Sequence, residues 1–177
     1  GGYSPEDWSN RDPGAYESKI QDSSAIITGD PTPEVDRSRA VACDPGITGA
    51  TIFDGFTVVG GSGSVSIGFD CSAAEPTIQN NELSGGSGEY TAGLRIRDAS
   101  PHVTGNTISG GIAVIASVGV YTNNSSAVVE NNDISGGTSD NTDAVFNYQS
   151  SPIIKNNRIN GGFANDIASS GVYSFSS

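Results

Sequence analysis

Short runs in which apolar and polar residues alternate recur along the chain, and a Gly–Gly pair follows each run. Alternation of this kind is typical of a strand that buries one face. The clearest copies read PTIQNNELSGG, PHVTGNTISGG, AVVENNDISGG and PIIKNNRINGG, and they begin at Pro76, Pro101, Ala127 and Pro152. Their starts lie 25, 26 and 25 residues apart. The chain is therefore predicted to be a tandem repeat of one structural unit.

A second repeated run lies between these copies and begins with a small residue, as in GLRIRDAS from Gly93, GVYTNNSS from Gly119 and AVFNYQSS from Ala144. Each unit thus holds three short strands separated by turns at Asn and Gly. One unit cannot bury its own apolar face, so the units must stack. The predicted fold is an all-β parallel β-helix with about six coils of about 25 residues and three short sheets. The predicted inward columns are Ile78, Val103, Val129 and Ile154; Leu83, Ile108, Ile134 and Ile159; and Phe69, Leu94, Val120, Val145 and Val172.

One Asn recurs at the same turn of each unit, two residues before an inward aliphatic residue; the four copies are Asn81, Asn106, Asn132 and Asn157. Asn tolerates the left-handed backbone region, and its amide can bond the equivalent amide of the next coil. We therefore predict a structural Asn ladder. The alternative is a set of solvent-exposed turn residues.

This pattern resembles the right-handed β-helix repeat of the pectate-lyase-like superfamily over residues 40–177. The upstream segments GGYSPEDWSNRDP, IITGD and ATIFDGFTVVGG resemble the opening coils of large bacterial surface β-helix proteins. The resemblance implies an irregular N-terminal cap and first coil over residues 1–39, followed by regular repeats. It is specific for the fold and weak for function, because the superfamily contains lyases, hydrolases, adhesins and structural proteins.

The chain carries 20 acidic and 8 basic residues, a net charge of −12. That balance disfavours a nucleic-acid partner, since phosphate contacts need clustered Lys and Arg. No apolar stretch is long enough for a membrane span. Loop carboxylates could hold Ca²⁺, with a solvated acidic surface as the alternative; the acidic residues in question are Glu6, Asp7, Asp12, Glu17, Asp22, Asp30, Glu34, Asp36, Asp44 and Asp54. No other cofactor is expected.

The two cysteines fall at equivalent positions when AVAC, ending at Cys43, is aligned with GFDC, ending at Cys71. Their sulfurs would then lie one coil apart, where strands are about 4.8 Å from each other. That distance is within reach of a disulfide. Two buried thiols in the core are the alternative.

The outward positions of the second run change in character along the chain. They form the columns Asp70, Arg95, Tyr121, Phe146, Tyr173 and Ser72, Arg97, Asn123, Tyr148, Phe175. Tyr121, Phe146, Tyr148, Tyr173 and Phe175 are predicted to form a contiguous exposed aromatic surface that binds sugar rings or protein. The alternative is cross-strand stacking that only stabilises the sheet. A register slip of one residue would turn all five inward.

No catalytic residues are predicted. Arg95-Ile96-Arg97 resembles the Arg-Ile-Lys run of polygalacturonases, but the acidic pairs and the Gly-His-Gly motif found there are missing. Asp70 is the one acid in its column, and its ion pair with Arg95 is expected to contribute little if exposed. His102, the single histidine, is expected to face solvent without an acidic partner.

The final strand ends without a recognisable cap, which a solenoid normally needs. Either the chain is part of a larger surface protein, or open ends stack head to tail into a filament. The favoured function is therefore a non-catalytic extracellular or cell-surface structural protein that assembles with itself. The alternative is a carbohydrate-binding or polysaccharide-cleaving module.

Overall fold

The computed structural model describes the backbone of residues 18–21 and all of residues 37–176. Every regular element within these residues is a β-strand. The strands are β1 Ser18–Gln21, β2 Arg37–Cys43, β3 Ile52–Asp54, β4 Phe56–Val59, β5 Ser62–Ser72, β6 Thr77–Gln79, β7 Glu82–Ser84, β8 Ser87–Arg97, β9 His102–Thr104, β10 Thr107–Ser109, β11 Ile112–Asn123, β12 Val128–Glu130, β13 Asp133–Ser135, β14 Thr138–Tyr148, β15 Ile153–Lys155, β16 Arg158–Asn160 and β17 Phe163–Phe175.

Every third strand along the chain joins the same sheet, and every pairing is parallel. Sheet 1 runs β1-β4-β7-β10-β13-β16, sheet 2 runs β2-β5-β8-β11-β14-β17, and sheet 3 runs β3-β6-β9-β12-β15. The result is a right-handed parallel β-helix of about six coils, which confirms the predicted fold class. Most of the predicted cap, residues 1–39, lies outside the described residues. In the described part of the chain, no helix is long and apolar enough to cross a membrane.

The core is a narrow column of aliphatic side chains between the three sheets. The predicted inward residues are buried in the middle coils, where Ile78, Leu94 and Val129 have no exposed surface. Ile154 and Ile159 are partly buried, and Val172 on the last strand is 48% exposed. Alignment of the repeats therefore assigns these three inward columns correctly.

The four repeated Asn residues lie in a continuous row. The Nδ2 of Asn81 donates to the Oδ1 of Asn106 at 3.0 Å, Asn106 does the same to Asn132, and Asn132 to Asn157. The first three are almost fully buried. These four residues do not themselves take up the left-handed conformation that Asn tolerates.

The left-handed backbone belongs to the residue before each ladder position. Asn80, Gly105, Asn131 and Asn156 have φ between 53° and 67°. Asn, like Gly, tolerates this region well. The two residues of each Asn-Asn or Gly-Asn pair therefore have different structural roles. The first residue makes the sharp turn, and the second turns its amide inward to bond the neighbouring coil.

A second row of polar residues, buried in every coil except the last, accompanies the Gly–Gly turns and is not evident from the sequence. One hydroxyl residue per coil occupies the same register position of sheet 2; the six are Ser38, Ser66, Thr91, Ser117, Thr142 and Ser169. Ser66 and Ser117 donate from Oγ to the carbonyl oxygens of Gly61 and Gly111, at 3.0 and 3.3 Å. The same two carbonyls also accept from the backbone N of Ser87 and of Thr138 in the next coil, so each hydroxyl adds a second hydrogen bond at the turn.

The strands of sheet 2 bend at one position in every coil. The ladder pairs Ile67 with Ala92 and Phe69 with Leu94, but it omits the residue between, and the same gap recurs in all five strand pairs. The residue at the gap is always small; the six are Ala40, Gly68, Gly93, Gly119, Ala144 and Gly171. A Cβ at Gly93 would lie 2.4 Å from the carbonyl oxygen of Ser109. The bend therefore follows from close packing of sheet 2 on the turn that leaves sheet 1.

Candidate functional site: a groove along sheet 2

The bend shapes a groove of about 440 Å³ on the outer face of sheet 2, and its volume is within the usual range for ligand sites. Side chains from both sides of the bend line it, as Val118 and Tyr121 do on β11. Residues three apart on a straight strand would point to opposite faces. The floor is apolar, being formed by Ile67, Ala92 and Val118.

One end of the groove is an arginine cluster built around Asp70. This carboxylate is 1% exposed and shared by three guanidinium groups. Arg95 binds it through two atoms, Nε to Oδ1 at 2.9 Å and Nη2 to Oδ2 at 2.6 Å. Arg39 Nη1 lies 3.0 Å from Oδ2, and Arg97 Nη2 lies 3.6 Å from it. The predicted ion pair of Asp70 with Arg95 is present, but the carboxylate is buried, so the condition under which the pair would contribute little does not apply.

Charge in this cluster is far from balanced. Burial on its own raises the pKa of Asp70, but the hydrogen bonds and charges of the arginines outweigh it and hold that pKa below its ordinary value. Burial and the three other guanidinium groups lower the pKa of Arg37, which lies at the edge of the cluster. Among the described residues, four arginines around one carboxylate leave a surplus of three positive charges.

Several donors of the cluster are unused. The Nε atoms of Arg37, Arg39 and Arg97 are buried and have no hydrogen-bond partner among the described residues. Arg97 lines the groove directly and donates from Nη2 to the Ser72 hydroxyl at 3.0 Å. Guanidinium groups bind carboxylate and sulfate-like oxygens through such paired donors. This end can accept an anionic group.

The predicted aromatic surface is less open than expected. Tyr121, Phe146 and Tyr173 stack on one another with ring centroids 5.7 and 5.4 Å apart, and Tyr148 stacks on Phe175 at 5.7 Å. Only Tyr173 and Phe175, at 47% and 46%, count as exposed. Most ring faces are thus covered by other rings, as the stacking alternative supposed. Tyr121 and Phe146 still line the groove, and a second hollow of about 430 Å³ lies against Phe146, Tyr148, Tyr173 and Phe175.

Asp143, which was not predicted, lies between these two hollows and lines both. It is 4% exposed, and burial raises the pKa of its carboxyl above the ordinary value although a hydrogen bond with Ser170 opposes the shift. Its backbone position pairs with Val118 and Ser170. It was missed because strict alternation does not hold across the bend at Ala144. If inward and outward residues alternated without interruption from the outward Phe146, Asp143 would face the core.

Cys43 and Cys71 occupy paired positions on β2 and β5, and both are buried free thiols. This arrangement corresponds to the second of the two alternatives. Burial raises the pKa of Cys71 to about 12 and also raises that of Cys43. The Sγ of Cys71 lies 3.5 Å from the carbonyl oxygen of Ala74.

His102 is exposed as expected, but the expectation that it lacks an acidic partner is wrong. Its Nε2 lies 2.8 Å from Glu130 Oε1, and Lys155 Nζ lies 2.9 Å from the other oxygen. Within the described residues, no group of three or more His, Cys, Asp or Glu could hold a metal ion. Most of the acidic residues considered for Ca²⁺ lie outside those residues.

Comparison with protein families matches residues 39–177 to the model of the right-handed beta helix region. No curated protein and no solved structure gives a significant match. The match covers most of the chain and all the strands from β3 to β17 that form its coils. The chain belongs to the right-handed beta helix family.

Proposed function

We propose that this β-helix is a non-catalytic extracellular or surface module that binds an acidic carbohydrate in the groove of sheet 2. The observation that carries the proposal is one continuous groove with an apolar floor, arginines at one end and aromatic rings at the other. Sugars combine apolar C–H faces with polar edges, and such a mixed surface suits both. Arg95 and Arg97 line the groove, and their guanidinium groups supply a site for an acidic substituent.

Binding is favoured over hydrolysis by the distance between Asp70 and Asp143. Asp70 and Asp143 lie on β5 and β14, three strand spacings or about 14 Å apart. The acid and base of glycoside hydrolases lie within about 10 Å of each other. Asp70 is also held ionised by three arginines and is not available to donate a proton.

The first experiment is binding of the purified chain to an array of acidic and neutral glycans, followed by calorimetric titration of the best acidic glycan. Arg97→Gln should weaken binding about tenfold or more, because a charged hydrogen bond is worth about 1.5–3 kcal/mol. Arg158→Gln is the matched control, since Arg158 lies on sheet 1 in an exposed pair with Asp133. Failure to bind any acidic glycan, or equal effects of the two variants, would contradict the proposal.

Two further measurements separate the alternatives. Release of unsaturated uronates, followed by near-ultraviolet absorbance, would show that the groove cleaves its ligand. Light scattering across concentration, salt and calcium tests the filament hypothesis. Growth of particles without glycan binding would favour self-assembly over the carbohydrate module.

A further inference from the structure

The groove of sheet 2 has opposite charges at its two ends. Arg39, Ile67, Ala92, Val118 and Asp143 occupy one register column across β2, β5, β8, β11 and β14. The column therefore begins with a cation, crosses three apolar residues and reaches an anion. The charged residues that line the groove are Arg95, Arg97 and Asp143. Arg97 and Asp143 are separated by two strand spacings, about 10 Å, across the strands, and the register partner of Arg97 on β14 is Tyr148, five residues beyond Asp143.

Asp143 lies where a bound chain would have to pass. The groove and the second hollow share Asn141, Asp143 and Phe146, so the two form one path along sheet 2. Beyond Asp143 that path is lined by Tyr148, Tyr173 and Phe175, with no charged residue. An anionic substituent at this point would face a carboxylate with almost no solvent to screen it.

We propose that Asp143 is a specificity-determining residue, an inference that rests on the proposed function. The groove then selects a glycan in which an acidic unit is followed by a neutral unit. The acidic group binds the guanidinium groups of Arg95 and Arg97, which line the groove. The neutral unit lies against Asp143, Asn141 and the stacked rings. Repulsion at Asp143 excludes chains that carry a charge on every sugar, and specificity of this kind depends on a repulsive element as much as on an attractive one.

The test is calorimetric titration of the full chain with three tetrasaccharides: alternating glucuronate and N-acetylglucosamine, all-galacturonate, and the carboxyl-reduced form of the first. We expect the alternating probe to bind at least about tenfold more tightly than either of the others. Asp143→Asn should bring the all-galacturonate affinity within about threefold of the alternating probe, by improving the former. Asp140→Asn is the matched control, because Asp140 lies on the same strand but lines neither hollow.

The outcomes separate the two proposals. If the all-acidic probe binds as tightly as the alternating probe to the wild type, or Asp143→Asn and Asp140→Asn behave alike, the role of Asp143 is overturned while acidic-glycan binding stands. If no probe binds and the glycan array is also negative, the proposed function itself fails and this inference with it. Thermal unfolding of each variant identifies any loss of affinity that comes from unfolding. Should Asp143→Asn unfold, Asp143→Ser gives the same comparison with a smaller neutral side chain.

Discussion

Replacement of Asn106 by Ala tests whether the Asn row holds neighbouring coils together. The Nδ2 of Asn106 lies 2.9 Å from the carbonyl oxygen of Ile78, 3.0 Å from that of Thr104 and 3.0 Å from Asn132 Oδ1. Its Oδ1 accepts from both the backbone N and the Nδ2 of Asn81. An amide has two protons and one oxygen, so about four of these bonds form at once.

Each such bond contributes about 1 kcal/mol net, and partners left buried without a bond add to the loss. Asn106→Ala should therefore lower the free energy of unfolding by about 3–5 kcal/mol, a large part of the 5–15 kcal/mol typical of a domain. The measurement is urea unfolding followed by far-ultraviolet circular dichroism, with a check for intermediates because solenoids can unfold in parts.

Asn157→Ala is the internal comparison. Asn157 is only partly buried, donates to the carbonyl oxygen of Val129 and accepts from the N and Nδ2 of Asn132. Asn157→Ala should lower the free energy of unfolding by about 1–2 kcal/mol, because water can replace part of the lost hydrogen bonding. If both variants cost the same, or Asn106→Ala costs less than about 1 kcal/mol, the reasoning from buried amide bonds is wrong.

Three further predictions concern buried polar groups. Thr142→Val should raise the free energy of unfolding, measured in urea, by about 1 kcal/mol, because the Thr142 hydroxyl is buried without a hydrogen-bond partner in the described structure. A lower free energy of unfolding for the variant would show that this hydroxyl has a hydrogen-bond partner. Asp70→Asn should lower the free energy of unfolding by about 3 kcal/mol at neutral pH, because it leaves the partly buried guanidinium groups without their carboxylate. The pKa of Asp70 in the folded chain is below its ordinary 3.8, so its contribution to stability is complete above pH 3.8 and is lost as the pH falls through the folded pKa. The stabilities of wild type and variant should therefore converge in acid. A difference that persists in acid would refute the assignment. Cys43 and Cys71 should resist a thiol reagent until the chain is unfolded, since burial raises both thiol pKa values. Rapid labelling of the native protein would argue against buried thiols. Absence of labelling after unfolding would show that the two cysteines form a disulfide.

The sequence was sufficient for the fold because the inward positions and the Asn turn repeat at a fixed spacing. Ile78, Val103 and Val129 could be aligned without any structure, and alignment of the repeats fixes the register of parallel strands. The hydroxyl row could not be recognised in the same way. Ser66 and Ser117 have the composition of ordinary strand residues, and only the fold shows that they meet the Gly–Gly carbonyls.

The site was predicted in part, and the omissions have physical causes. Arg95 and Arg97 were placed on the correct face, but Arg39 pairs with Ile67 before the bend, where strict alternation predicts an inward side chain, so the burial of Asp70 was missed. Asp143 was missed because strict alternation fails across the bend. The stacking of Tyr121 on Phe146 depends on side-chain orientation, which spacing does not determine.

The bend at the small residue of each coil has a consequence for how such a protein can change over evolution. Because Gly68, Gly93 and Gly119 repeat the same interruption in successive coils, the groove is a property of the repeat unit itself. Duplication of one coil would lengthen the binding path by one strand spacing, about 4.8 Å, without disturbing the core. The outward residues beside the bend do not have to be small. Substitutions at these positions can therefore change ligand preference in one coil at a time while the fold stays the same.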